Sequence, residues 1–254
     1  IPTEKIVVVQ GDSDLIPRGG GTGGSRSVTV QNNATLATVE KIIQSFSQYL
    51  SEKLEVDVED IGFDDTSFRI KGSNYSPNAL EVAKMACEDH RFDLLKHSAK
   101  ATLDARSFPN GAHFAEVEVD PETGFVQVVK YCVVDDFGNL INPMLAEGQV
   151  HGGVAQGIGQ ALYENVVYDQ EGQLLTATFM DYGIPRAQDL PYYKFETECV
   201  PSTANIMGMK GCGEAGTVGA LAAVANAVQD ALWEFGIQQV DMPFTSEKIW
   251  SMIN

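Results

Sequence analysis

Basic residues are scarce in this chain. It sets 17 lysines and arginines against 35 aspartates and glutamates, a formal net charge of −18 over 254 residues, and no basic cluster offsets that excess locally. Such a balance repels nucleic acid and anionic lipid, so neither is expected as a partner. Long hydrophobic runs are missing as well. None reaches the roughly 20 residues of a membrane-spanning helix, and a soluble, cytoplasmic protein is expected. The four cysteines, Cys87, Cys132, Cys199 and Cys212, stand far apart with no C-x-x-C pair. That argues against an iron–sulfur or structural zinc site in this chain and against a disulfide scaffold. The four histidines, His90, His97, His113 and His151, show neither HxxxH nor HExxH spacing, so no metal ligand is expected from protein side chains. No internal repeat and no low-complexity linker occurs. The chain opens on Ile1 without a signal-peptide pattern, so either an upstream segment was removed or the sequence is part of a longer chain.

Glycine, by contrast, is plentiful at 24 residues, and much of it falls in three places. The first is RGGGTGGSRS, Arg18 to Ser27, which leads into a segment where Val39, Ile42, Ile43, Phe46, Tyr49 and Leu50 recur at helical spacing. Bare backbone N–H groups, the hydroxyls of Thr22, Ser25 and Ser27, the charge of Arg26 and a helix N-terminus together suit a phosphate or pyrophosphate. No GK[ST] closes the loop and no dinucleotide fingerprint is present; a flexible surface loop is the alternative. The second is EGQVHGGVAQGIGQALYE, read as a glycine-rich entry into a helix. Here Gly152, Gly153, Gly157 and Gly159 permit close approach, and Gln149, His151, Gln156 and Gln160 supply donors and acceptors. Either a cofactor or another backbone would explain so many glycines. The third is GMKGCGEAGTVGA, Gly208 to Ala220, placed between the strand-like KFETECV and a long apolar helical pattern. Glu214 is its only carboxylate, just before the first helical turn; a solvated cap is the alternative reading.

Elsewhere, IVVVQ (Ile6 to Gln10) has the length and composition of a strand, and DIGFDDTSFRIKG reads as a pair of short strands. SPNALEVAKMACEDH reads as a helix capped by Ser76 with Pro77 in its first turn. HFAEVEVDPETGFVQVVKYCVV reads as a hairpin, GQLLTATFM as a strand, and TSEKIWSMIN as a short helix capped by Thr245. Mixed strands and helices with a hairpin make the fold class α+β, with mixed β-sheets and packed helices. The chain is treated as one region, 1–254, with a subdivision placed near 76–109.

Taken in order, GDSDLIPRGGGTGGSRS, FPNGAHFAEVEVDPETG, INPMLAEGQVHGGVAQGIGQALYE, DYGIPRAQDLP and KGCGEAGTVGA resemble the molybdenum hydroxylases. That family comprises the xanthine dehydrogenases, aldehyde oxidases and carbon monoxide dehydrogenases, and the match is to the C-terminal part of the molybdopterin-binding large subunit. The resemblance implies molybdenum on a molybdopterin cofactor in its cytosine dinucleotide form. It also implies partners: the remainder of the large subunit, an iron–sulfur subunit and a flavin subunit carrying FAD. Carried onto this sequence, Glu214 falls on the general base, and Lys210, Cys212 and Gly213 fall on the loop beside the dithiolene. Thr22, Gly23, Gly24, Ser25, Arg26 and Ser27 fall on the loop holding pterin and phosphate, and Gln156 on the glutamine that faces molybdenum. Ala215 and Gly216 replace the paired prolines of xanthine dehydrogenases, which points away from purines. The implied reaction is hydroxylation of an aldehyde or N-heterocycle carbon, or oxidation of carbon monoxide, by an enzyme of which this chain alone would be inactive. Two other readings are an isolated structural fragment without cofactor and a non-catalytic anion- or nucleotide-binding module.

Overall fold

The computed structural model describes residues 1–16, 18–103 and 105–254. Pro17, within GDSDLIPRGGGTGGSRS, and Asp104 lie outside them. The chain divides into two compact units, one of Ile1–Gly21 and Val30–Leu103, the other of Thr22–Thr29 and Asp104–Asn254.

The first unit is organised by helix α1 (Ser27–Leu54), of which it holds the part from Val30 onward. Phe46, Tyr49 and Leu50 sit three and four residues apart, so they fall on one face and are buried together. They pack on a short antiparallel hairpin of β1 (Ile61–Phe63) and β2 (Phe68–Ile70), in which Ile61 pairs with Ile70. Helix α2 (Ala79–Glu88) completes the core with Val82 and Ala86. Its cap is Asn78, not Ser76. The Asn78 side chain accepts from the amides of Leu80 and Glu81, and Glu81 reaches back to the Asn78 N–H. That reciprocal box satisfies more orphan donors than a serine further upstream could. Ile6 to Gln10 does not form a strand; Val7 and Val8 are exposed, and no strand among the described residues pairs with them. Apolar composition alone cannot make a strand without a ladder partner.

The second unit is a three-stranded mixed sheet in the order β3 (Asn110–Val119), β4 (Val126–Asp136), β5 (Tyr193–Thr197). The β3–β4 hairpin is antiparallel with a bulge at Glu116/Val117, and β5 runs parallel to β4. Helices α3 (Pro143–Leu162) and α4 (Ala215–Trp233) pack on each other, and α4 lies on β3. Their core joins Val150, Val154 and Ile158 to Ala220, Val224 and Val228. A final helix, α5 (Ser246–Ile253), is capped by the Thr245 hydroxyl.

The glycines of α3 are not at a helix entrance. The helix begins at Pro143, capped by Asn142, so Gly153 and Gly157 lie in its interior. A Cβ on Gly153 would come within 2.9 Å of the Thr217 nitrogen, and one on Gly157 within 2.6 Å of the Ala220 Cβ. Interior glycine costs a helix about 1 kcal/mol relative to alanine; here it lets two backbones approach and pack at crystal-like density. Gly152 faces open space. The stretch Gln173 to Met180 is not a strand either. Asp169 gathers the amides of Glu171 and Gln173, while the Thr176 and Thr178 hydroxyls accept from Val167 and Met180. Such local side-chain bonds compete with a ladder. No described helix is long and apolar enough to cross a membrane.

Candidate functional site

Two segments far apart in sequence meet at the N-terminus of α4. Ser25 adopts a left-handed backbone with φ 55°, following Gly24 at φ 64°. This turn delivers the Ser25 carbonyl against Gly211, where a Cβ would overlap it. Glycine at 211 is therefore dictated by the approach of the other loop. The Ser25 hydroxyl donates to Glu214 Oε2 at 2.8 Å and accepts the Glu214 N–H at 3.0 Å. Glu214 occupies the N-cap position of α4 without using its side chain to cap the helix. Its carboxylate is oriented by Ser25 instead.

The loop that carries Glu214 is anchored from below. Met209 bridges to Gly138, and the Lys210 N–H donates to the Phe137 carbonyl at 2.8 Å. The Lys210 ammonium is bonded to Asp136, both side chains nearly buried. Burial works to raise the Asp136 carboxyl, but the Lys210 ammonium and the amides of Val200 and Gly138 outweigh it and hold the group at about 2. Lys210 thus fixes the loop to the end of β4. Cys212 is half-buried, and burial pushes its thiol up. The Gly213 carbonyl accepts from Gln149 Nε2 of α3 at 2.9 Å.

Two cavities flank this junction. The first, of about 490 Å³, is lined by Thr22, Ser25 and Ser27 on one side and by Asn142, Cys212 and Gly213 on another, over a floor of apolar side chains. The Thr22 and Ser27 hydroxyls are bonded to each other. The N-termini of both α1 and α3 face this space, since Val28 and Leu145 also line it. A helix N-terminus is the positive end of its dipole, the environment an anion prefers. The second cavity, of about 400 Å³, is lined by Ser25, Glu214, His113, Asp135, Phe108 and Val218. Ser25 is common to both.

Of the residues named from sequence, Thr22, Ser25, Ser27, Lys210, Cys212 and Gly213 line the first cavity, and Gly24 and Glu214 the second. Gly23 and Arg26 line neither, and Arg26 is exposed. Gln156 also lies outside both linings; its Oε1 accepts from Thr217 Oγ1 at 3.3 Å on the first turn of α4. The glutamine of α3 that touches the Glu214 loop is Gln149. Sequence reasoning also passed over His113 and Asp135, which meet with Nε2 3.3 Å from Oδ1. Their signal was in the hairpin register: Asp135 stands opposite Gly111, so it shares a sheet face with His113 two residues along.

Comparison with known proteins gives this geometry a context. Residues 1–191 match the family model described as a molybdopterin cofactor-binding domain. The chain is 35% identical over 257 residues to the 6-hydroxypseudooxynicotine dehydrogenase complex subunit gamma of Paenarthrobacter nicotinovorans, covering 99% of this chain and 32% of that one. It is 38% identical over 259 residues to the nicotine 6-hydroxylase large subunit of the same organism, covering 98% of this chain and 31% of that one. A crystal structure of a copper- and molybdenum-containing CO dehydrogenase superimposes with a TM-score of 0.86 at 31% identity, over 99% of this chain and 32% of that one. The chain thus spans about a third of the length of the relatives it matches. With that match and that fold, the chain belongs to the molybdopterin cofactor-binding domain family, and it is similar to about a third of the large subunits of molybdenum-containing oxidoreductases.

Proposed function

We propose that this chain supplies one wall of the molybdenum site in an enzyme that hydroxylates an aldehyde or N-heterocycle carbon, with Glu214 as general base. The nicotine-linked names of two relatives favour the heterocycle. The residues present suit the cofactor. The hydroxyls of Thr22 and Ser27, the N-termini of α1 and α3 and the Asn142 amide would hold its phosphates, with Cys212 and Gly213 against the pterin end. When bound, the molybdenum centre is the two-electron acceptor of the reaction. A cytosine dinucleotide form of the cofactor, and iron–sulfur and FAD subunits to carry electrons away, follow from the same reading; one relative is named as a subunit of a complex.

The observation that carries the assignment is the Glu214 carboxylate itself. A bare anion-binding module would leave the mouth of α4 free of negative charge, whereas here a carboxylate is held there by Ser25 and opens on the second cavity. A base must sit within hydrogen-bond reach of the proton it takes and be oriented before the reaction. Ser25 does the orienting, and Gln149 steadies the Gly213 peptide just before it. In the assembled enzyme, Glu214→Gln is expected to abolish turnover while molybdenum content stays at the wild-type level. Near-normal turnover in that variant would remove Glu214 from the mechanism.

A further inference from the structure

Among the described residues, three buried side-chain atoms find no hydrogen-bond partner: Asp135 Oδ2, Tyr193 Oη and His151 Nε2. All three lie on one run of neighbouring side chains. The run begins at the cavity that Glu214 shares with His113 and Asp135. Beyond the 3.3 Å approach of His113 Nε2 to Asp135, His113 Nδ1 lies 2.8 Å from the Tyr131 hydroxyl. The Tyr131 ring meets Tyr193 edge-on with centroids 5.6 Å apart, and Tyr193 meets His151 in the same way at 5.3 Å. His151 Nε2 then lies 3.8 Å from Glu147 Oε1, on the exposed side of α3.

A core built only for packing would not place polar groups in these positions, since each unsatisfied one costs about 1–3 kcal/mol. Buried polar atoms without a protein partner are the environment in which ordered water bridges side chains. The backbone also makes room for the run. A Cβ on Gly219 would overlap the His113 ring, and one on Gly111 the Asp135 carboxylate.

We propose that Asp135, His113, Tyr131, Tyr193 and His151 form a proton path between the Glu214 cavity and the Glu147 edge of α3, with water bridging the unpartnered atoms. The path rests on the reading of Glu214 as base, and gives the proton that Glu214 gains a way out that does not cross the substrate. The proton passes from the Glu214 carboxyl to Asp135, and from Asp135 Oδ1 to His113 Nε2. His113 releases a proton from Nδ1 to the Tyr131 oxygen, and the Tyr131 hydroxyl gives up its own toward Tyr193. His151 and then Glu147 receive it. One proton enters, one leaves, and no electron moves. The tyrosines act as neutral hydroxyls. Burial, with the Asp135 charge and Tyr193 added, holds Tyr131 far above the ordinary phenol range, and burial pushes Tyr193 up to about 12. The titratable groups facing the run from its neighbours are Glu214 and Cys212 in the glycine-rich loop and Glu147 on α3.

Two measurements test the path. In the purified chain with ¹⁵N-labelled histidine, a connected path means that the Tyr131 hydroxyl divides its donation between His113 Nδ1 and the water toward Tyr193. Tyr193→Phe removes the acceptor beyond Tyr131, which then donates only to His113 Nδ1. The His113 Nδ1 resonance is expected to move upfield, as a ring nitrogen does when the hydrogen bond it accepts strengthens. Among the described residues the Tyr193 hydroxyl has no hydrogen-bond partner, so this variant is expected to keep the fold, as thermal unfolding would verify. In the assembled, cofactor-loaded enzyme the same variant is expected to lose about tenfold in kcat with KM unchanged, and added imidazole buffer to restore it. An unmoved His113 spectrum, or a kcat that is unchanged or beyond rescue, overturns the path. Failure of the Glu214 reading shows separately, as turnover by Glu214→Gln, and leaves the His113 result standing.

Discussion

The Ser25 hydroxyl and Glu214 are bonded twice, once to the carboxylate at 2.8 Å and once to the backbone N–H at 3.0 Å, across 189 positions of sequence. Ser25 holds this position from a left-handed backbone, a conformation that costs a non-glycine residue about 1–3 kcal/mol. The surrounding contacts have to make up that cost. Ser25→Ala keeps the turn and removes both bonds, so Glu214 loses its orientation but not its charge. In the assembled enzyme, kcat is expected to fall about 10²-fold, the loss that accompanies a misplacement of about 1 Å. KM and molybdenum content are expected to stay within a few-fold of wild type. Steady-state kinetics with metal analysis checks this, and an unaltered kcat would mean that Glu214 is oriented by something other than Ser25.

Gly211 and Gly152 make a paired test of what the glycines are for. A Cβ at Gly211 would overlap the Ser25 carbonyl, and the obstacle is backbone. Gly211→Ala is therefore expected to destabilise the chain by about 1–3 kcal/mol, as overpacking does, and to displace the Glu214 loop. At Gly152, inside α3, an added Cβ meets nothing within 4 Å. Gly152→Ala is expected to stabilise by up to about 1 kcal/mol through helix propensity. Urea unfolding of the two variants beside the wild type decides it. Equal effects would show that neither glycine is dictated by its surroundings.

Much of this architecture was legible in local pattern. Phe46, Tyr49 and Leu50 declare a helix by spacing, DPETG declares the hairpin, and Thr245 and the apolar run after Glu214 mark helix starts that the coordinates reproduce. The misses have physical causes. Ile6 to Gln10 has strand composition, but composition carries no information about a partner. The α3 glycines read as a helix mouth because sequence cannot tell a backbone approached by a ligand from one approached by α4. His113 and Asp135 meet through the hairpin register, and Lys210 reaches Asp136 through the bridge of Met209 to Gly138, pairings that local pattern does not reveal. Gln149 and Gln156 share one face of α3 two turns apart, so Gln149 reaches the Glu214 loop while Gln156, roughly 10 Å further along the axis, lies beside Thr217.

The Lys210–Asp136 pair ties the loop to β4 and should make stability depend on acid. The Asp136 carboxyl is held at about 2, against 3.8 for an unperturbed aspartate. A depressed carboxylate contributes stability that is fully present above the unfolded value, and that is lost as pH falls from there through the folded value. The contribution is therefore expected to be intact at pH 7 and to fade between about pH 4 and pH 2. Lys210→Met removes the counter-ion and leaves a nearly buried carboxylate, which is expected to cost about 3–5 kcal/mol at pH 7. Acid protonates that lone carboxyl and relieves it, so the gap to wild type is expected to narrow as pH falls toward 3. The double variant Lys210→Met/Asp136→Asn, carrying no buried charge, is expected to recover part of the loss at pH 7. Urea unfolding at pH 7, 5 and 3 measures all of this. A gap of the same size at pH 3 and pH 7 would mean that the lysine acts through the packing of its stem, and that its charge on Asp136 contributes nothing.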